Sequence, residues 1–260
     1  MSPERSIRRR ALIGSTALVA GAAGSAVWGR ESGPELLMVT AALEPFTLPP
    51  RHPLGEGMDI DLAREALLRG GNYRLRVVHV PWRRVLAELK AGQADFSAGV
   101  HNTAERRQFL AYSQRYGNAV RYDFYTRRGS GLSVRGLADL AGRRVGLMAG
   151  AEYPSPLQAA MSGRAERAAD LHTLLRMLAA GRVDVVVGNE LPARWLVQHQ
   201  PYGPQLERQP YTHDTGTPTQ MAFSRQRPGF EAALAAMNRG LGLLAKEQRW
   251  AALQARYVGG

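Results

Sequence analysis

The sequence of 260 residues contains no cysteine. This absence excludes a disulfide framework, a thiolate metal site and a lipid-anchored cysteine. It is compatible with an oxidising compartment, although it does not by itself place the chain in one.

Motifs for catalysis and cofactor binding are also missing. The six histidines are widely separated and have no metal-ligand spacing. The sequence has no G-x-S-x-G elbow, no phosphate-binding loop and no dinucleotide fingerprint. We therefore expect no metal, no cofactor and no hydrolytic activity.

The chain has no block of five or six like charges. Its formal net charge is +12, and residues 1–26 supply three of these charges through four arginines and one glutamate. The remaining basic residues are almost all arginines scattered along the chain. A nucleic-acid-binding protein usually concentrates them on one stripe with aromatic residues between them. We expect no nucleic-acid partner, and interpret the excess as surface composition that favours anionic ligands or membrane surfaces.

The N-terminal segment, residues 1–29, has the composition of an export signal. Four arginines precede an apolar stretch from Ala11 to about Trp28 that is rich in Ala and Gly. This stretch is short and weakly hydrophobic for a membrane span, which needs about 20 apolar residues. The run Arg8-Arg9-Arg10 also resembles a twin-arginine signal. We expect cleavage and a periplasmic location, with an uncleaved anchor helix as the alternative.

Two segments of the chain repeat one pattern. "LKAGQADFSAGV" begins at Leu89 and "LAAGRVDVVVGN" begins at Leu178. Each copy predicts the end of a helix, a glycine that stops it and then a strand. Around both copies, predicted strands alternate with helices, which implies parallel strands joined by helical crossovers. The repeat therefore predicts the same crossover in two α/β lobes of about 100 residues each.

Ligands of such sheets bind at the carboxyl ends of the strands. The residues that follow the two repeated strands are "HNTAER" and "NELPAR". Thr103 is a good N-cap for a helix from about Ala104 to Leu110, which places Arg106 in the first turn. An anion at that helix start would compensate a cation there, so Arg106 is a candidate anion ligand. The alternative is a solvated surface arginine beside Arg107.

From about Leu36 to Tyr257 the chain resembles the bacterial extracellular solute-binding proteins of family 3, the amino-acid-binding type. The ordered matching stretches are "EPFTL", "GMDIDLAREAL", "VPWRRVLAELKAGQADFSAG", "NTAERRQFLAYSQRY", "DLAGRRVGLMAG", "AAGRVDVVVGN" and a long C-terminal stretch from "MAFSRQRPGFEAAL".

The resemblance implies a two-lobe α/β fold of the type II periplasmic binding proteins, with a mixed sheet and flanking helices in each lobe. Residues 30–124 would form the first part of lobe one. Residues 125–221 would hold the hinge segments and lobe two, and residues 222–260 would return to lobe one. The two crossovers would lie near Phe124–Arg127 and Thr219–Ala222.

The resemblance also implies a ligand site between the lobes. Arg106 would grip a ligand carboxylate, and Phe46 would stack on the ligand unless it is a core residue. The full candidate set is Phe46, Gly99, His101, Thr103, Arg106, Ala151 and Asn189.

Three of these positions depart from the family pattern. His101 and Ala151 stand where small hydroxyl residues are usual, and His101 is alternatively a packed residue at a strand end. Asn189 stands where an acid normally pairs with the ligand's ammonium group. An amide leaves such a charge uncompensated unless another acid reaches the cleft. The acids considered for that role are Glu44, Glu152, Glu190 and Asp214.

The expected function is that of a monomeric periplasmic receptor that closes around a carboxylate-bearing solute and presents it to an ABC transporter permease. A periplasmic lyase of the same fold, similar to prephenate or arogenate dehydratases, is one alternative. A sensory protein that uses the same cleft without transport is another.

Overall fold

The computed structural model describes residues 33–161 and 163–259. Within them, ten strands form two separate five-stranded sheets. The strands are β1 (Glu35–Thr40), β2 (Arg74–His79), β3 (Phe96–Ser97), β4 (Leu110–Tyr112), β5 (Arg121–Arg127), β6 (Arg144–Met148), β7 (Arg164–Ala168), β8 (Val185–Asn189), β9 (Leu206–Asp214) and β10 (Ala222–Ser224). The predicted export signal, residues 1–29, lies outside the described residues.

Helices connect and flank these strands. They are α1 (Met58–Gly71), α2 (Trp82–Lys90), α3 (Ser155–Ala160), α4 (Leu171–Ala179), α5 (Glu190–His199), α6 (Phe230–Lys246) and α7 (Arg249–Val258). Among the residues that the structure describes, no helix combines the length and apolar character that a membrane crossing requires.

The two sheets share one design. In the first sheet, β1 runs parallel to β2 and β3, and β10 pairs antiparallel with β3 and β4. In the second sheet, β6 runs parallel to β7 and β8, and β5 pairs antiparallel with β8 and β9. The predicted α/β class with one mixed sheet in each lobe is confirmed.

The repeated sequence pattern lies at equivalent places in the two sheets. The first copy joins α2 to β3 through Gly92, and the second joins α4 to β8 through Gly181. These glycines have φ angles of 67° and 71°, a left-handed conformation that glycine adopts at little cost. Each copy therefore ends a crossover helix and starts the strand that follows it.

The aspartate of each copy ties its strand to the first strand of the same sheet. Asp95 accepts the Leu37 N–H at 2.7 Å and donates its own N–H to the Leu37 carbonyl at 2.9 Å. Asp184 exchanges the same two bonds with Arg144, at 2.9 and 2.8 Å. The two aspartates are thus structurally equivalent.

The chain passes between the sheets in two segments that pair with each other. The Tyr116 N–H donates to the Thr219 carbonyl at 3.0 Å, and the Val120 N–H donates to Thr217 at 2.9 Å. The first crossover was expected near Phe124–Arg127, but those residues belong to β5 in the second sheet. Phe124 is fully buried there, because its apolar side chain packs in the core of the second lobe.

The C-terminal helices return to the first sheet. Helices α1 and α6 approach closely at two glycines. A Cβ added to Gly70 would lie 1.9 Å from the Ala236 carbonyl oxygen, and one added to Gly240 would lie 1.9 Å from that of Ala66. Only glycine permits this backbone contact, which fixes the last part of the chain against the first lobe.

Candidate functional site

A cavity of about 420 Å³ lies between the two sheets, within the range of small-molecule sites. Its wall contains the carboxyl ends of strands from both sheets, including Thr40, His79, Met148 and Asn189. This is the position expected for the ligand crevice of open α/β sheets.

Six of the seven candidate residues line this cavity: Phe46, Gly99, His101, Arg106, Ala151 and Asn189. The seventh, Thr103, lies outside the lining of the cavity. Its side-chain oxygen accepts the Arg106 N–H at 3.2 Å, so Thr103 contacts Arg106 rather than the cavity.

Arg106 enters the cavity from a short turn. The expected helix from Ala104 to Leu110 is instead a single 3-10 turn, Arg106–Gln108, and Leu110 already begins β4. The pairing of β4 with β10 ends the helical stretch early, because a strand and a helix cannot use the same backbone groups.

The Arg106 guanidinium is buried, with 5% of the residue exposed. Its Nη1 donates to the His101 carbonyl at 3.3 Å. Its Nη2 lies 4.0 Å from Oε1 of Glu152, which belongs to the second lobe. The arginine is thus a buried cation at the wall of the cavity with one loosely placed acidic partner, and the surface interpretation of Arg106 does not apply.

Two residues of the second lobe, Gly150 and Glu152, contact the first lobe directly. The Trp82 indole N–H donates to the Gly150 carbonyl at 3.1 Å. The His101 ring hydrogen-bonds to the backbone of Glu152. Together with the approach of Glu152 to Arg106, these bonds connect the two lobes across the mouth of the cavity.

His101 is held neutral in this position. Burial and, to a smaller extent, the nearby Arg106 charge lower its pKa to about 4, against the raising effect of the hydrogen bond to Glu152. A neutral imidazole offers one donor and one acceptor nitrogen. His101 therefore adds hydrogen-bonding capacity to the site and no second positive charge.

Asn189 ends β8 and precedes α5. Its Oδ1 is buried and has no hydrogen-bond partner in the part of the chain that the structure describes. The same holds for Nε2 of His79, on the opposite wall. Buried polar atoms normally have a hydrogen-bond partner, so each of these two side chains can form a further hydrogen bond at the cavity.

Two of the four acids considered from the sequence, Glu190 and Asp214, are paired with arginines. A second cavity of about 380 Å³ continues toward the crossovers and includes Arg121, Glu190 and Asp214 in its wall. Arg121 lies 3.4 Å from Glu190 and 3.9 Å from Asp214, and Arg194 lies 2.7 Å from Glu190. These charges largely compensate one another, which leaves Glu152 as the acid beside Arg106.

Asp59, near the start of α1, is an acidic residue of the site that was not among the candidates from the sequence. Residue Gly57 occupies the N-cap of α1, and Asp59 is buried at the wall of both cavities. Its Oδ1 accepts the Tyr116 hydroxyl at 3.0 Å. Burial raises the Asp59 pKa to about 7, against the lowering effect of the Tyr116 hydrogen bond.

Aromatic side chains form much of the wall, and sequence reasoning identified only Phe46 among them. Trp82, Tyr122 and Tyr153 also line the cavity, and Tyr122 and Tyr153 pack with ring centroids 5.2 Å apart. Phe46 stacks on Trp250 at 6.2 Å. The sequence feature that could have identified Trp82 as a cavity residue is its position shortly after a predicted strand, at the start of a helix.

No group of three metal-ligating side chains lies together within residues 33–161 and 163–259. The arrangement offers a buried cation with Glu152 beside it, the buried carboxyl group of Asp59, neutral hydrogen-bonding groups and aromatic surface. These groups can bind a small anionic or zwitterionic molecule between the lobes.

The fold is shared with solved structures of binding proteins. An ancestral arginine-binding protein bound to glutamine has a TM-score of 0.73 and 23% identity, covering 87% of this chain and 98% of that one. The substrate-binding protein of an amino acid ABC transporter has a TM-score of 0.73 and 18% identity, covering 87% and 100%. The ancestral amino-acid-binding protein AncCDT-1, a precursor of cyclohexadienyl dehydratase, has a TM-score of 0.70 and 18% identity, covering 86% and 94%.

No curated protein matches the sequence. The profile of the bacterial extracellular solute-binding proteins, family 3, matches residues 37–260. This match spans nearly all of the described residues, including both sheets and the cavity between them. The chain belongs to the bacterial extracellular solute-binding proteins of family 3.

Proposed function

We propose that the chain is an extracytoplasmic receptor that closes around a small carboxylate-bearing solute. The observation that carries the proposal is Arg106, a guanidinium buried at the cavity wall whose acidic neighbour is 4.0 Å away. A buried charge needs a charged and hydrogen-bonded partner. A solute carboxylate placed between the lobes supplies both, since arginine binds carboxylates through two parallel hydrogen bonds.

The walls of the cavity favour a solute with an apolar or aromatic body. Phe46, Trp82, Tyr122 and Tyr153 present ring surface, and apolar residues such as Met148 lie between them. Burial of apolar surface contributes about 25 cal/mol per Å². The body of the solute would therefore supply much of the affinity, and Arg106 would supply the orientation.

The carboxylate is better supported than an ammonium group. Asn189 carries no charge, and Glu190 and Asp214 are paired with Arg121. Removing the solute's carboxylate should thus weaken binding more than removing its amino group.

Delivery to an ABC-type importer is the proposed physiological role. One structural neighbour is the substrate-binding protein of an amino acid ABC transporter, and the family is extracellular. The export-signal features of residues 1–29 agree with a periplasmic location for the mature chain.

The test is a thermal-shift screen of amino acids, organic acids and polyamines. A solute that binds the folded chain raises its melting temperature. L-Phenylalanine, 3-phenylpropionate and 2-phenylethylamine form a matched set. The first carries both charged groups, the second lacks the amino group and the third lacks the carboxylate. We expect calorimetry to show binding in that order of affinity, and Asn189→Asp to improve binding of the amines.

Absence of any stabilising solute in the screen would contradict the receptor function. Incubation with prephenate is the control for the enzyme alternative, since one neighbour is a precursor of a dehydratase. Product formation by the purified chain would show that it is a lyase.

A further inference from the structure

The solute's carboxylate would have to share Arg106 with a carboxylate of the protein. Glu152 Oε1 lies 4.0 Å from Arg106 Nη2, and 47% of the Glu152 side chain is exposed. The two residues belong to different lobes, because Arg106 precedes β4 and Glu152 follows β6. The ion pair therefore spans the cleft that a solute must enter.

Other contacts hold the Glu152 backbone at this place. The Tyr122 hydroxyl reaches the Glu152 carbonyl at 3.4 Å from within the second lobe. The His101 ring also bonds to the Glu152 backbone, and Trp82 holds Gly150 from the first lobe. Only the side chain of Glu152 is left free to move away from Arg106.

We propose that Glu152 determines the charge selectivity of the site by competing, as an internal carboxylate, with the solute for Arg106. This inference rests on the proposed function. In the absence of a competing anion, the Glu152–Arg106 pair adds to the contacts that keep the lobes together. An incoming carboxylate displaces Glu152 from the guanidinium and then lies beside a second negative charge.

The proximity of two carboxylates has a consequence for the class of solute. Like charges a few ångströms apart repel unless a cation lies between them. A solute that carries an ammonium group next to its carboxylate provides that cation to Glu152, whereas a plain carboxylic acid does not. Glu152 would then supply the negative charge that Asn189 lacks, from the segment that follows β6, the strand next to β8 in the second sheet.

The contribution of the Glu152–Arg106 contact to lobe separation is testable without any solute, because the chain has no cysteine and labels can be placed at chosen sites. Ala87→Cys on α2 and Gln158→Cys on α3 introduce two exposed labelling sites, one on each lobe. Spin-label distances in the full chain then report the separation of the lobes. We expect Glu152→Gln to shift the distribution toward longer distances and Glu105→Gln, an exposed neighbour of Arg106, to leave it unchanged.

A double variant shows that the effect acts through Arg106. Glu152→Gln combined with Arg106→Gln should widen the distribution no more than Arg106→Gln alone. Identical distributions for the parent and Glu152→Gln would overturn the proposal. So would an equal effect of Glu105→Gln.

The second measurement uses 3-phenylpropionate and L-phenylalanine in calorimetric titrations. Glu152→Gln should bind 3-phenylpropionate roughly two- to fivefold more tightly than the parent, which is the factor a part-exposed ion pair supplies. Its affinity for L-phenylalanine should change less. Weaker binding of 3-phenylpropionate by Glu152→Gln would overturn the competition.

The two measurements separate the inference from the function on which it rests. If no solute binds any variant while the distances respond as expected, the Glu152–Arg106 contact is confirmed and the receptor function fails. If solutes bind the parent but Glu152→Gln alters neither distances nor selectivity, the receptor function stands and Glu152 has no role in it.

Discussion

Arg106 is the residue whose replacement tests the site most directly. Its guanidinium is buried at the cavity wall, and truncation of one side of a buried charge pair costs about 2–5 kcal/mol. We expect Arg106→Ala to weaken binding of a carboxylate-bearing hit by that amount in calorimetry. Arg107→Ala is the matched control, because Arg107 is exposed and bonds to Asn102. Parent-like affinity of Arg106→Ala would mean that the solute binds elsewhere.

Asp59 should make stability depend on pH. Its folded pKa is raised to about 7 by burial, against a usual value of 3.8. Between pH 4 and 7 the folded chain therefore holds more protons than the unfolded chain, and the free energy of unfolding falls as pH rises through this window. Asp59→Asn removes this decline, which amounts to at most about 4 kcal/mol.

Urea unfolding of the parent and Asp59→Asn from pH 4.5 to 8 measures the difference. His101 acts in the opposite direction, since its lowered pKa makes stability rise with pH between about 4 and 6.5. That contribution is common to both proteins and cancels. Asp61→Asn is the control, because the Asp61 carboxylate is paired with Arg256, and its free energy of unfolding should fall with pH as that of the parent does. If Asp59→Asn and the parent showed the same pH dependence, the raised pKa of Asp59 would be excluded.

The cavity residues at and after the strand ends, such as His101, Arg106 and Asn189, could be predicted from the sequence. The position of Asp59 in the wall could not be predicted, because an aspartate at a helix start is ordinarily a surface cap. The approach of Glu152 to Arg106 depends on how the two lobes face each other. Single-chain periodicity carries no information on that geometry.

At the level of secondary structure elements, the repeated aspartates offer a comparison within one molecule. Asp95 and Asp184 make the same backbone exchange with β1 and β6, but their side chains are 8% and 31% exposed. Loss of a buried acceptor costs about 1–3 kcal/mol. We expect Asp95→Ala to lie near the upper end of this range and Asp184→Ala near the lower end, in denaturant unfolding.

The asparagine variants are the controls for that comparison. Asp95→Asn and Asp184→Asn keep an acceptor oxygen for the strand N–H and lose only the ion pairs with Arg227 and Arg144. Each should be less destabilising than the corresponding alanine. An equal cost for alanine and asparagine would show that the ion pair, and not the backbone bond, stabilises the strand.

The elements themselves were largely predictable. The crossovers into β3 and β8 could be predicted from the alternation of helices and strands and from the repeated pattern. These two crossovers depend on local periodicity and on glycine turns, which the sequence shows directly. The first passage between the sheets was expected near Phe124–Arg127 and occurs around Tyr116–Val120. Both segments are extended, and only their pairing partners distinguish a sheet strand from a crossover.

For the whole molecule, the export route is a prediction from residues 1–29. The Arg8-Arg9 pair resembles the twin-arginine signal, which requires both guanidinium groups. Replacing Arg8 and Arg9 by lysine keeps the charge and should abolish periplasmic accumulation. Fractionation of cells that express each form measures this. Normal periplasmic yield from the lysine form would indicate the general export route.

The position of Trp250 has a consequence for the intrinsic fluorescence of the protein. Its indole touches Gly117 in the first crossover, where an added Cβ would lie 2.7 Å from the ring, and it also packs on Tyr116 and Phe46. Rotation of the lobes about that segment changes the surroundings of this ring, and Trp82 bridges the cleft mouth. Intrinsic tryptophan emission should therefore report solute binding without a label, and Trp250→Phe should remove the component that originates at the hinge.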